Sequence, residues 1–140
     1  MTKLAFVCVG NAGRSQLATA FAEQERANRG LEHAVEIVTG GVDPRDHVHD
    51  DVRTVLEEEG IDIGDREPRQ ITSADVVDAE YVITMGCAPA EFVPDDWDGE
   101  TETWDLEHPG GDDLDATRAQ RDEIQRRVRA LFDHLETTHE

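Results

Sequence analysis

The sequence predicts a small doubly wound α/β domain with a parallel sheet, and three observations lead there. Short apolar runs alternate with stretches of helical periodicity along the whole chain, which implies right-handed crossovers and a sheet covered on both faces. At 140 residues the chain suits one domain, residues 1–140, large enough to bury a core without disulfide or metal staples. No internal repeat, linker or low-complexity segment interrupts the pattern.

The elements follow in order. Leu4, Phe6, Val7 and Val9 form a short buried strand that crosses Cys8 and runs into a small-residue loop. From Ser15 to Arg29 the positions Leu17, Ala18, Ala20 and Phe21 keep helical spacing, and Asn28 to Gly30 closes that helix. Ala34 to Thr39 is a second strand, followed by Gly40 and Gly41. Val48, Val52, Val55, Leu56 and Glu59 mark one face of a second helix that stops at Gly60. Thr72 with Asp75 three residues on reads as a capping-box start to a helix of one or two turns. Tyr81 to Met85 is a third strand ending at Gly86 and Cys87; residues 88–100 form a long irregular loop; Thr101 to Leu106 is a short fourth strand. A last helix runs from about Ala116 to Thr137, with Ile124, Val128, Leu131 and Leu135 on one face.

The first strand, loop and helix carry the chemistry. The stretch CVGNAGRS puts Cys8 at a strand end and Arg14 and Ser15 at a helix start. Backbone N–H groups of Val9, Gly10, Asn11, Ala12 and Gly13, with those of the helix's first turn, form a nest for a multiply charged oxyanion. Gly10 and Gly13 let the backbone bend, and Asn11 tolerates a left-handed conformation while its amide locks the loop. Arg14 supplies two parallel donors to a tetrahedral oxyanion. The helix terminus and Arg14 favour the thiolate of Cys8, making it a nucleophile. Ser15 is placed to donate to that sulfur. Neither GxxxxGK[ST] nor GxGxxG is present, so a nucleotide site has no support.

Composition excludes other classes. The chain carries 13 basic and 33 acidic residues, a net charge of -20, and Lys3 is its one lysine. Such a surface repels nucleic acid and anionic membranes and suits a very salty cytosol, where ions screen self-repulsion. The acidic runs Glu57 to Glu59 and Asp112 to Asp115 read as solvated surface, and no metal or cofactor is expected. No secretory or membrane segment is visible, and the two cysteines suit a reducing, cytoplasmic compartment. The histidines His33, His47, His49, His134 and His139 show no partner pattern.

The spacing of CVGNAGRS resembles the phosphate loop of the low-molecular-weight protein tyrosine phosphatases and of the arsenate reductases that share their fold. The stretches ITMGCAPAEFVPDDW, TWDLEHPGG and RAQRDEIQRRVRALF extend the likeness to the reductases over nearly the whole chain. The resemblance implies a four-stranded sheet of order 2-1-3-4. It implies that Cys8 attacks arsenate to form a thiol-arsenate adduct, and that a second thiol, with Cys87 as the candidate, displaces arsenite. The third cysteine of thioredoxin-coupled relatives is missing from residues 88–95. Either a redoxin then reduces a Cys8–Cys87 disulfide directly, or a small external thiol resolves the adduct.

The family's general-acid Asp before a Pro is replaced by His108 before Pro109, with Asp105 and Glu107 close enough to substitute. The alternative function is hydrolysis of phosphomonoesters through a phosphocysteine. A presence of Cys87 and absence of the usual Asp lean toward reduction, as do Gly110 and Gly111 where phosphotyrosine phosphatases carry aromatic residues. Trp97 and Trp104 could wall the pocket, although two tryptophans near a loop more often serve core or hinge packing. An oxyanion-binding redox sensor is the non-catalytic reading. The expected partners are arsenate or phosphate and an external thiol donor.

Overall fold

The structure, a computed structural model, describes residues 2–64, 66–106 and 114–138. Four strands, β1 (Thr2–Cys8), β2 (Val35–Gly41), β3 (Tyr81–Met85) and β4 (Glu100–Thr103), form one sheet in the order β2-β1-β3-β4. Every pairing is parallel. The helices are α1 (Arg14–Asn28), α2 (Asp50–Glu58), α3 (Ser73–Val76) and α4 (Leu114–Thr138). The 2-1-3-4 order implied by the resemblance is the one observed.

Alternation along β1 divides the interior. Leu4, Phe6 and Cys8 join Ile83 and Met85 in a core with Leu17 and Phe21 of α1, Leu56 of α2, and Ile124, Val128 and Phe132 of α4. Ala5, Val7 and Val82 face the other way, onto Ile71, Val76, Ala79 and Phe92. The three long helices therefore share one face, and α3 with the loop after β3 covers the other. Among the described residues no helix is long and apolar enough to cross a membrane.

Local chemistry sets the element ends. Gly30 and Gly60 take positive φ values of 68° and 76° just past α1 and α2, the left-handed stop that a side chain resists. Thr72 and Asp75 form the expected reciprocal capping box on α3.

Two boundaries differ from the sequence reading. Strand β2 continues through Gly40 and Gly41, which pair with Val7 and Cys8. A Cβ on Gly41 would lie 2.5 Å from the Val9 carbonyl oxygen, so glycine here serves close approach of two backbones. Strand β4 ends at Thr103, and the Trp104 side chain turns into the core against Phe6, ring centroids 6.0 Å apart.

Candidate active site

Cys8 is the last residue of β1 and Arg14 the first of α1, so the loop between them lies at the carboxyl edge of the sheet, where doubly wound sheets bind ligands. Its shape is imposed from outside. The carbonyls of Cys8, Val9, Gly10 and Ala12 accept hydrogen bonds from the N–H groups of Val42, Asp43, Arg45 and His49, at 3.3, 2.9, 2.9 and 2.9 Å. With carbonyls drawn outward onto the β2–α2 connection, the loop's N–H groups are turned inward. The first helical bond of α1 runs from Leu17 N–H to the Gly13 carbonyl. The N–H groups of Arg14, Ser15 and Gln16 thus have no helical carbonyl to reach, and they add to a positive concavity.

The sulfur is held by two groups. Ser15 Oγ lies 2.8 Å from Cys8 Sγ, and the Asn11 N–H donates to the same sulfur at 3.2 Å. A chain of hydrogen bonds fixes which way the serine points. Arg69 N–H, which can only donate, reaches Asn11 Oδ1 at 3.0 Å, and this sets the orientation of the asparagine amide. Asn11 Nδ2 then donates to Ser15 Oγ at 2.8 Å and to Thr39 Oγ1 at 3.0 Å, while Thr39 donates to the Phe6 carbonyl. Gln16, fully buried, donates to the Asn11 carbonyl and to Oδ1. Ser15 Oγ accepts from Asn11, which leaves its own proton free to donate to Cys8 Sγ whenever that sulfur is deprotonated.

Asn11 has φ 52°, the left-handed conformation expected of it. Neither Gly10 nor Gly13 has positive φ, so Asn11 alone carries the left-handed turn of the loop. Gly10 matters for space: a Cβ there would meet Arg45 Cγ at 2.8 Å.

The pocket is lined by Cys8, Val9, Gly10, Ala12, Gly13, Arg14, Arg45 and His49 and has a volume of about 50 Å³. That is room for a few water-sized groups, fit for one small oxyanion. A larger hollow of about 380 Å³ lies at the opposite edge of the sheet, between Thr2, Val35 and Leu135, and its lining has no cysteine and no arginine. Arg14 Nη1 donates to the Leu106 carbonyl at 3.0 Å, and its guanidinium lies over Gly86, where a Cβ would come within 2.8 Å of it.

Cys87 belongs to the neighbouring strand end. Cys8 pairs in register with Met85, and Cys87 follows after Gly86, whose φ is 87°. Both cysteines are free thiols. Cys87 packs with the Val7 and Phe92 cluster, on the face away from the Cys8 core, and Sγ approaches the Val7 carbonyl at 3.8 Å. Burial, with Glu91 and Cys8 adding, pushes its thiol up to about 11.

Of the other sequence candidates, Asp105 is exposed, next to the Leu106 carbonyl that holds Arg14. His108 and Glu107 lie outside the described residues. Trp104 is core and Trp97 donates to the Ala79 carbonyl, so the packing role holds for them and neither lines the pocket. His49 does line it, although its sequence context showed no partner pattern. Arg45, Thr39 and Arg69 escaped the sequence reading. Thr39 and Arg45 had as their only local signal proximity to Gly40 and Gly41, whose closeness to the loop is a tertiary fact, and Arg69, 28 residues beyond Gly41, had none.

A strand-end cysteine in an inward-facing amide loop, closed by an arginine at the carboxyl edge of a 2-1-3-4 parallel sheet, defines the low-molecular-weight phosphatase class. The family model described as "Low molecular weight phosphotyrosine protein phosphatase" matches residues 3–140, and the chain belongs to that family. Within it the chain is homologous to arsenate reductases. It is 47% identical over 137 residues to a Halobacterium salinarum protein named "Putative arsenate reductase", covering 96% of this chain and 93% of that one. It is 31% identical to the glutaredoxin arsenate reductase of Synechocystis, covering 94% and 97%. Among solved structures, the thioredoxin-dependent arsenate reductase of Corynebacterium glutamicum superposes with a TM-score of 0.81 at 30% identity. That match covers 99% of this chain and 63% of the Corynebacterium chain.

Proposed function

We propose that this protein is a thiol-dependent arsenate reductase acting as one domain over residues 1–140. The observation that carries the reading is the sulfur of Cys8, held by the Ser15 hydroxyl and the Asn11 N–H inside a pocket of inward N–H groups. Arsenate sits in the loop of Val9, Gly10, Asn11, Ala12 and Gly13 with Arg14 forking two of its oxygens. Cys8 attacks arsenic, a sulfur–arsenic bond forms, and one arsenic oxygen leaves as hydroxide or, once protonated, as water. A second thiol then gives up its proton to an oxygen of the arsenic group or to solvent and attacks Cys8 Sγ. A disulfide forms, the electron pair of the sulfur–arsenic bond stays on arsenic, and arsenite departs.

Cys87 is the resolving thiol in this reading. Gly86 joins it to the strand that neighbours β1, and a left-handed glycine gives the segment freedom to swing the sulfur round the sheet edge. At rest its burial keeps it protonated, a thiol held in waiting until the adduct has formed on Cys8. The proton for the leaving oxygen comes from the segment after β4, with Asp105, Glu107 and His108 as candidates. An external redoxin or small thiol returns the disulfide to two thiols.

Hydrolysis of an aryl phosphate is the competing use of the same loop. Among the described residues no Phe, Tyr or Trp lines the pocket, which disfavours a ring-binding subsite. A charge of -20 with little lysine supports a salt-rich cytoplasm as the working medium.

Steady-state arsenite formation with dithiothreitol or a redoxin system tests the proposal. Wild type turns over, Cys8→Ser is inert, and Cys87→Ser loses arsenate reduction while keeping slow aryl-phosphate hydrolysis. Full reduction by Cys87→Ser at the wild-type rate removes Cys87 from the mechanism. No reduction by wild type alongside aryl-phosphate turnover overturns the reductase reading.

A further inference from the structure

Arg45 stands out once the chain's cations are followed one by one. Lys3, Arg29, Arg66, Arg69, Arg118, Arg121, Arg126, Arg127 and Arg129 all meet carboxylates, and Arg14, Arg26 and Arg53 meet backbone carbonyls. The guanidinium of Arg45 has no hydrogen-bond or ion-pair partner among the described residues, in a protein with 33 acidic side chains and with Asp43 and Asp46 close by in sequence. Arg45 is exposed to solvent, and with no partner among the described residues its guanidinium is free to meet an anion that arrives from solution.

Its position identifies that anion's site. Arg45 N–H holds the Gly10 carbonyl at 2.9 Å, and the side chain runs across Gly10, where a Cβ would sit 2.8 Å from Cγ and 3.2 Å from Nε. It therefore forms a wall of the same pocket as Cys8 and Arg14. We infer that Arg45 is a second oxyanion-binding guanidinium, which makes the pocket selective for dianionic tetrahedral ligands over monoanions. The inference rests on the proposed oxyanion site and names its charge preference.

The charge balance shows why a second cation is needed. A thiolate at Cys8 and a dianion bring three negative charges together. Arg14 and a helix terminus of roughly half a charge leave about 1.5 uncompensated. Arg45 lowers the excess to about 0.5. A monoanion beside the same thiolate is nearly neutralised by Arg14 and the helix alone, so the second guanidinium contributes most when the ligand carries two charges.

The test is binding of inorganic phosphate to the reduced full chain by titration calorimetry, across the pH range in which free phosphate passes from monoanion to dianion. Wild type binds more tightly as the dianion forms. Arg45→Gln is expected to weaken dianion binding by about tenfold or more and to flatten the pH dependence, while thermal unfolding stays unchanged. Arg45→Lys recovers part of the affinity, because charge returns without the fork. Arg126→Gln, on the exposed side of α4 and paired with Glu123, controls for loss of any positive charge and binds as wild type. If wild type binds no phosphate, the oxyanion-site reading itself fails. If wild type binds and Arg45→Gln binds equally with the same pH dependence, only the role of Arg45 fails. A matching loss in Arg126→Gln would reduce the effect to net charge and overturn the inference.

Discussion

Replacing Asn11 by alanine separates the two jobs that one residue performs under the sulfur. The side chain makes four hydrogen bonds, two given to Ser15 and Thr39 and two taken from Arg69 N–H and Gln16 Nε2. Gln16 keeps its bond to the Asn11 carbonyl, so the Arg69 N–H is the donor most nearly orphaned. With about 1 kcal/mol for each of three lost bonds and about 1 kcal/mol for holding alanine at left-handed φ, Asn11→Ala costs about 4 kcal/mol. That is a large share of the roughly 5–15 kcal/mol that stabilises a typical domain. Asn11→Gly loses the same bonds without the backbone strain and is about 1 kcal/mol less destabilised. Urea unfolding of the three proteins reads both quantities. In both variants Ser15 loses the Asn11 amide that holds its hydroxyl beside Cys8 Sγ, so attack on arsenate slows beyond what stability explains. A loss below about 1 kcal/mol for alanine, or identical values for alanine and glycine, would refute the role assigned to this residue.

Three further perturbations follow from the geometry. With the Cys87 thiol raised to about 11, its labelling by iodoacetamide is slow near neutral pH and climbs about tenfold per pH unit until that value is approached; labelling of Cys87 in the folded protein at the rate of a free thiol near neutral pH would contradict the burial argument. Gly86→Ala presses a Cβ into the Arg14 guanidinium at a left-handed position, and kcat/KM for arsenate is expected to fall by about tenfold or more, whereas unchanged kinetics would mean that Arg14 is not held there. Glu58 binds Arg118 and then Arg121, and these hydrogen bonds hold its carboxyl down at about 2. Its folded value lies below the unfolded 4.5, so its stabilisation is present above that pH and fades as pH falls toward about 2. The gap in urea midpoint between wild type and Glu58→Gln should close over that interval, and a gap that persists would place the contribution elsewhere.

What sequence revealed and what it concealed divide along the range of the interactions. The strand Tyr81–Met85, the capping box at Thr72, and the glycine stops at Gly30 and Gly60 depend on neighbours a few residues away, and all were legible. So was the left-handed Asn11, because few residue types accept that conformation beside a strand end. The outward pull on the loop carbonyls was not legible. It comes from residues 42–49, whose approach depends on Gly41 lying against Val9. The same holds for Arg45, His49, Thr39 and Arg69, which share no spacing with CVGNAGRS. Glu58, read as solvated surface, joins α2 to α4 because Arg118 and Arg121 reach it across sixty and more residues of chain. Trp104 could be read either way from the sequence, and its bulk goes to the core against Phe6 rather than to the pocket.

The most direct measurement of the central claim is a single turnover of the fully reduced protein with arsenate and no added thiol. Free thiols are counted and arsenite quantified, and a digest is analysed by mass. The account predicts one arsenite per chain, the loss of both thiols, and a peptide pair bridged between Cys8 and Cys87. Retention of both thiols with no arsenite, followed by arsenite release when a small thiol is added, would contradict the role of Cys87. Silence in both conditions would contradict arsenate reduction itself.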